Sequence, residues 1–133
     1  NKYNKREFIK EGKTMPLKIL IADDSAFMRN LIKNILTQIG INEIYEAEDG
    51  VEAIKQYGKL KPDLVFMDIM MPNKDGIEAL KQIVAINPSA KIVMCSSMGQ
   101  QALIAEAIKS GAKDFVIKPF QPQKVLEVLT KYC

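Results

Sequence analysis

The fold is decided by LKILIADDSAFMRNLIKNILTQIG, residues 17–40. Six mostly apolar residues come first, which is typical of a parallel strand covered on both faces. This run ends in two adjacent carboxylates, Asp23 and Asp24, and a helical spacing of apolar residues follows as far as Gly40, a common helix stop. The stretch therefore predicts a strand, a short acidic loop and a helix.

The same strand-and-helix unit recurs along the chain. Five such units predict an α/β fold with a parallel sheet. A closed eight-stranded barrel needs about 250 residues, whereas this chain has 133, so we expect an open, doubly wound, five-stranded parallel sheet with helices on both faces. Its flavodoxin-like order 2-1-3-4-5 is expected by analogy with known five-stranded proteins of this kind. The predicted strands are 17–22, 43–47, 63–67, 91–95 and 114–118.

Two predictions concern the hydrophobic core. Cys95 lies within an apolar run and is expected to be a small buried residue. The first helix is expected to turn one apolar stripe toward the sheet. The members of that stripe are Phe27, Met28, Leu31, Ile32, Ile35, Leu36 and Ile39.

Composition limits the classes of function. With 47% apolar and 26% charged residues, the chain resembles one soluble globular domain. The net charge of +3 comes from residues 1–14, which hold five Lys or Arg and two Glu, so residues 15–133 are neutral. We therefore expect no nucleic-acid partner. No apolar stretch approaches the roughly 20 residues of a membrane span, and the polar N-terminus shows no secretory signal, so we expect a cytoplasmic protein without a membrane partner.

Histidine is absent from the chain. Its absence excludes a Ser-His-Asp triad, a Cys-His pair and a His-ligated zinc site. The chain also cannot carry phosphate on a histidine of its own.

The sequence divides into a basic N-terminal extension, residues 1–14, and one domain, residues 15–133. Two interpretations of the extension stay open. It is either disordered or forms a short helix over KREFIKEG, residues 5–12, that uses Phe8 and Ile9.

Polar side chains follow the predicted strands at their carboxyl ends. These ends meet at one edge of a parallel sheet, which is where open α/β folds bind ligands. We therefore expect the side chains to share one pocket. Taken from the first strand to the fifth, they are Asp23, Asp24, Asp68, Ser96, Ser97 and Lys118.

The excess of negative charge in this pocket predicts a cation. Like charges a few ångström apart raise one another's pKa values, and three carboxylates outweigh one lysine. Mg²⁺ suits the group because it is a hard ion that takes oxygen ligands, only a few of them from protein. Asp23 and Asp24 are therefore interpreted as one side of a Mg²⁺ site, with Asp68 on the other.

Each of these residues also has an ordinary structural explanation. Asp23 and Asp24 are favourable at the start of a helix. Acids such as Asp68 are common in loops, and Lys118 before Pro119 is consistent with a surface lysine. Their joint position at one predicted edge favours a functional site.

Four stretches carry a family resemblance, in the order ILIADD, DLVFMDIMMPNKDG, IVMCSSMGQQ and GAKDFVIKPF. From about Leu17 onward the chain resembles response-regulator receiver domains. SAFMRNLI together with MCSSMGQQ is similar to the single-domain chemotaxis regulators of the CheY type. The resemblance implies a two-component signalling protein that is activated by phosphorylation.

The resemblance also implies a role for each site residue. Asp68 would be the phosphoacceptor, receiving phosphate from a phosphohistidine of a partner kinase. Mg²⁺ would be bound by Asp24, Asp68 and the backbone carbonyl of Met70, with Asp23 acting through water. Lys118 would contact a phosphoryl oxygen.

Two residues form the switch that the resemblance implies. Ser96 would hydrogen-bond a phosphoryl oxygen and move toward it; it replaces the commoner Thr and retains the hydroxyl. Phe115 stands where the family has a rotating aromatic, often Tyr, and it lacks the phenolic hydroxyl.

The switched surface would bind a flagellar motor switch protein. The other implied partners are a chemotaxis-type histidine kinase and an aspartyl-phosphate phosphatase.

Other classes of protein share parts of this pattern. A flavodoxin-type FMN carrier would need a phosphate-binding loop after the first strand, where this chain is acidic. A haloacid-dehalogenase-type phosphatase would need a second Asp at the position of Met70. A receiver domain cut from a larger regulator with a DNA-binding or enzymatic output domain is the main alternative, and a receiver used only as a binding module is another.

Overall fold

The computed structural model describes residues 15–133. The extension predicted for residues 1–14 lies outside the described residues. Within the described part, strands and helices alternate strictly. The strands are β1 (Met15–Ala22), β2 (Ile41–Ala47), β3 (Leu64–Asp68), β4 (Ile92–Ser96) and β5 (Asp114–Ile117). The helices are α1 (Ala26–Gln38), α2 (Gly50–Leu60), α3 (Gly76–Ile86), α4 (Gln101–Lys109) and α5 (Pro122–Tyr132).

The five strands form one parallel sheet in the order β2-β1-β3-β4-β5. This confirms the predicted fold class and strand order. In the register of the two central strands, Ala22 of β1 lies beside Met67 of β3. Asp68 at the end of β3 lies beside Cys95 of β4. The carboxyl ends of these strands therefore meet at one edge.

Helices cover both faces of the sheet, as predicted. Alternate side chains of each strand point to opposite faces, so neighbouring residues enter different cores. Leu20 and Met67 belong to a core shared with α2, α3 and α4. Ile19 and Phe66 belong to a core shared with α1 and α5. Every residue of β3 and β4 is buried, which explains their continuous apolar runs.

Helix α1 differs in one respect from the expected apolar stripe. Its buried side chains are Arg29, Ile32 and Leu36, whereas Phe27 is 69% exposed. The prediction was wrong for Phe27 because it precedes Ile32 by five residues, which at about 3.6 residues per turn places it well around the helix from the buried face. Cys95 is buried, as predicted.

No helix within residues 15–133 combines the length and the apolar character needed to cross a membrane.

Candidate functional site

The acidic group predicted at the edge of the sheet is present in the structure. Asp23 and Asp24 follow β1, and Asp68 is the last residue of β3. One carboxylate oxygen of each lies within 4.8 Å of the others. Asp23 and Asp68 are buried, with exposed fractions of 3% and 8%, while Asp24 is exposed. The three acids therefore form a cluster that opens to solvent on the side of Asp24.

The ordinary explanation of the paired acids as helix caps is not what the structure shows. The N-cap of α1 is Ser25, whose hydroxyl accepts a hydrogen bond of 3.2 Å from the backbone N–H of Met28. Asp23 accepts a bond of 2.9 Å from the backbone N–H of Ser25. Helix α1 therefore starts without using the carboxylate of Asp24, which is left facing the cluster.

Lys118 connects two of the three acids. Its ammonium lies 2.9 Å from Asp23 Oδ2 and 3.2 Å from Asp68 Oδ2. Its backbone N–H donates a bond of 2.8 Å to the carbonyl of Ser96, so the end of β5 is tied to the end of β4. The Lys118–Pro119 peptide bond is cis, a point that the sequence left open.

The electrostatics of the site are unfavourable to three anions. Burial and the charge of Asp23 raise the pKa of Asp68 to about 6, against the opposing effects of Lys118 and of a hydrogen bond from the backbone of Met70. Burial acts to lower the pKa of Lys118, but its hydrogen bond to Asp23 and the charge of Asp68 raise it overall. The lysine is therefore held protonated, and the cluster retains excess negative charge.

The donor set fits Mg²⁺. All three side chains offer hard carboxylate oxygens, and a divalent cation would offset the charge of Asp23, which adds to burial in raising the pKa of Asp68. The backbone carbonyl of Met70 was predicted as a further ligand. Its role as a ligand stays a prediction.

Ser96 and Phe115, the predicted switch residues, lie on adjacent strands. The side chain of Ser96 is fully buried, and within the described residues its hydroxyl has no hydrogen-bond partner. Such a buried hydroxyl is costly unless a ligand pairs with it. Phe115 is half-buried against the core and lines a cleft of about 250 Å³ together with Ser97, Gly99, Gln100, Gln101, Ile104 and Ile117.

Sequence reasoning missed Arg29. This residue is 8% exposed, and its guanidinium donates a bond of 2.7 Å to the backbone carbonyl of Asp23. It belongs to the same buried face of α1 as Ile32 and Leu36. A positive charge at helical spacing from two core residues was the signal in the sequence that could have identified it.

Sequence reasoning also missed the role of Gly76. Its backbone N–H donates a bond of 2.8 Å to Ile69. A Cβ atom at this position would overlap the backbone oxygen of Asp68. The start of α3 therefore packs directly against the residue that was predicted to accept phosphate.

The chain is similar to known proteins. A family model described as response regulator receiver domain matches residues 19–130. Chemotaxis protein CheY of Listeria monocytogenes is 56% identical over 115 residues, covering 86% of this chain and 97% of that protein. Chemotaxis protein CheY of Thermotoga maritima is 55% identical over 117 residues, covering 88% and 98%.

A solved structure gives the same result at the level of the fold. The CheX–CheY–BeF3–Mg²⁺ complex from Borrelia burgdorferi matches with a TM-score of 0.83 and 36% identity, covering 88% of this chain and 89% of that chain. A flavodoxin-type carrier or a haloacid-dehalogenase-type phosphatase would fall in a different family. The family match and the two curated relatives each span most of the described residues. The chain therefore belongs to the response regulator receiver domain family.

Proposed function

We propose that this receiver domain accepts phosphate from a histidine kinase on Asp68, with Mg²⁺, and signals in chemotaxis. One observation carries the proposal. Asp23, Asp24 and Asp68 are gathered within 4.8 Å, and Lys118 bridges two of them. At the end of the adjacent strand, the buried hydroxyl of Ser96 has no hydrogen-bond partner among residues 15–133. The two relatives named as chemotaxis proteins support the process in which the chain acts.

The proposed reaction is a phosphoryl transfer from nitrogen to oxygen. A carboxylate oxygen of Asp68 attacks phosphorus, an O–P bond forms, the P–N bond breaks, and the histidine nitrogen of the donor leaves. This chain has no histidine, so the donor must lie on a partner. With a pKa of about 6, the carboxyl of Asp68 is largely ionised at neutral pH and is able to act as the nucleophile.

Asp24, Asp68 and the carbonyl of Met70 would bind Mg²⁺, with Asp23 acting through water. When bound, the ion offsets negative charge on the transferring group, which is the main need in this chemistry. The chain's own contribution is positional. Asp23 is fixed by hydrogen bonds from Ser25 and Lys118, so the acids are aligned before a donor arrives.

Lys118 and Ser96 supply hydrogen bonds to the product. Phosphorylation changes a charge of −1 to about −2 and adds acceptor oxygens. The ammonium of Lys118 already lies 3.2 Å from Asp68, and the hydroxyl of Ser96 has a proton to donate. Drawing Ser96 toward the phosphoryl group frees space near Phe115, which would change the surface formed by α4, β5 and α5.

The proposed partners follow from this signalling role. They are a chemotaxis-type histidine kinase, a flagellar motor switch protein and an aspartyl-phosphate phosphatase. The Borrelia burgdorferi complex, in which CheY is joined by CheX, BeF3 and Mg²⁺, supports the idea that a second protein binds a receiver whose site is filled. We place the protein in the cytoplasm, where such a kinase domain would meet it.

The proposal is tested by phosphotransfer from a phosphorylated chemotaxis kinase, followed by intact-mass and peptide analysis. Wild type with Mg²⁺ should gain one phosphoryl group on Asp68, and chelation of Mg²⁺ should suppress the gain. Asp68→Asn should gain none. The matched control is Asp75→Asn, because Asp75 is an exposed acid that caps α3 and Asn caps equally well.

Labelling of Asp68→Asn at the wild-type rate would overturn the assignment of the phosphoacceptor. Equal loss in Asp75→Asn would show that any charge change near this edge abolishes transfer, and it would also overturn the assignment.

A further inference from the structure

Arg29 is a buried charge that the proposed chemistry does not use. Only 8% of it is exposed, and it shares the sheet-facing side of α1 with Ile32 and Leu36. A buried guanidinium is costly unless acceptors surround it. The groups that it contacts therefore indicate its role.

The guanidinium joins the acidic loop to the edge strand β2. Nη1 donates to the backbone carbonyl of Asp23 at 2.7 Å, and Nε donates to Glu46 at 3.0 Å. Nη2 lies 3.9 Å from Glu48. Lys33, one turn further along α1, binds the same Glu46 at 3.2 Å, from a more exposed position than that of Arg29.

The bond to the Asp23 carbonyl fixes a peptide plane. The six atoms from the Cα of Asp23 to the Cα of Asp24, both included, are coplanar, so holding this oxygen sets the direction in which the chain continues to Asp24. On its other side, Asp23 donates its backbone N–H to Ala47 at 3.0 Å. The peptide groups on both sides of Asp23 are therefore held, one by β2 and the other by Arg29.

We propose that Arg29 is a positioning residue, which holds the Asp23–Asp24 peptide so that the two neighbouring carboxylates face the same cation. The inference deepens the proposed function and rests on it, since the cation is the Mg²⁺ of the phosphorylation site. Arg29 itself touches neither metal nor phosphate in this role.

Charge and geometry predict opposite changes in Mg²⁺ affinity when Arg29 is removed. A positive charge near a cation site repels the cation, so its loss alone would tighten Mg²⁺ binding. Loss of the peptide clamp would loosen the acid pair and weaken binding, as is usual when a group that orients a metal ligand is removed. The sign of the change therefore separates the two explanations.

The test is calorimetric titration of the full chain with Mg²⁺. Arg29→Met should raise the Kd about tenfold. Lys33→Met is the matched control, since it removes one positive charge and one ion pair to the same Glu46, and its Kd should change less than about twofold. Far-UV circular dichroism and thermal unfolding check that each variant is folded. Should Arg29→Met fail to fold, Arg29→Lys serves instead, because it keeps the charge but lacks the planar fork, and weaker binding is again expected.

A second measurement is independent of the metal. The backbone N–H of Ser25 donates to Asp23 Oδ1 at 2.9 Å, so its hydrogen exchange reports how firmly the loop is held. Without Mg²⁺, this amide should exchange faster in Arg29→Met than in wild type. In Lys33→Met, its exchange rate should equal that of wild type. Unchanged exchange together with an unchanged or lower Kd would overturn the inference. Failure of wild type to bind Mg²⁺ would instead overturn the metal role in the proposed function. In that case, an unchanged exchange rate of the Ser25 amide in Arg29→Met would by itself overturn the positioning role of Arg29.

Discussion

At Asp68, a single carboxyl is subject to opposing influences. Burial and the charge of Asp23 raise its pKa to about 6, although Lys118 lies within ion-pair distance. The folded chain thus binds a proton here more tightly than the unfolded chain does. In the absence of a cation, ionising Asp68 costs folding free energy, which is the reverse of the usual behaviour of an acid in a salt bridge.

This raised pKa predicts the sign of a pH effect. Between pH about 4, near the ordinary pKa of Asp, and pH about 6, the folded state holds more protons at this site than the unfolded state. The contribution of Asp68 to stability is present below that window and is lost as pH rises through it. Asp68→Asn, which cannot ionise, should therefore be more stable than wild type above pH 6, by up to about 3 kcal/mol, and the difference should shrink toward pH 4.

Urea unfolding at several pH values, with divalent cations chelated, measures this difference directly. Asp75→Asn is again a suitable control because its carboxylate is exposed. A constant difference between Asp68→Asn and wild type from pH 4 to 7 would show that burial of the Asp68 carboxyl has no such energetic effect.

At the level of elements, the start of α3 is pressed against the end of β3. Gly76 allows this contact, because a side chain there would overlap the backbone oxygen of Asp68. Asp75 caps the helix by accepting a bond of 2.9 Å from Glu78. Cap and glycine together fix where the loop after Asp68 ends.

Gly76→Ala should destabilise the protein by about 1–3 kcal/mol, because the new methyl group displaces backbone that cannot yield freely. Gly58→Ala is the matched control. Gly58 lies inside α2, and a Cβ there meets nothing within 4 Å, so the substitution should stabilise by about 0.5–1 kcal/mol. Both values come from urea unfolding, and a Gly76→Ala variant at least as stable as wild type would contradict the close approach at Gly76.

The helices also show which local features a sequence predicts. The helix stop at Gly40 depends on the local chain and was predicted correctly. The apolar stripe of α1 depends on which face of the helix packs against the sheet, and Phe27 lies away from that face. Arg29 was missed because its acceptors come from the loop before α1 and from β2. The spacing of residues within α1 gives no information about contacts with other elements.

At the level of the whole molecule, the acids converge because parallel strands end at one edge, so the site was largely predictable once five units were recognised. The strand order needed the analogy with known proteins, since sequence alone does not say which strands are neighbours. The distance of 2.9 Å between Lys118 and Asp23, which are 95 positions apart in sequence, likewise follows only from the folded arrangement.

The sheet predicts that backbone amides are protected from hydrogen exchange more strongly in the central strands than at the β5 edge. Strand β3 is central and all its residues are buried, whereas β5 is a short edge strand whose last residue, Ile117, is 40% exposed. Hydrogen-bonded amides of β5 should exchange at least about tenfold faster than those of β3, through local opening. Native-state hydrogen exchange followed by NMR measures both in one sample, and equal protection would mean that the sheet opens only as a unit.

Lys118 begins just beyond the outermost strand, yet its tip reaches an acid that follows β1, with β3 and β4 in between. The side chain of Lys118 thus connects the edge of the sheet to its central strands. A chemical event that draws this ammonium from Asp23 toward Asp68 would be transmitted mechanically to the border strand without any intermediate residue having to move.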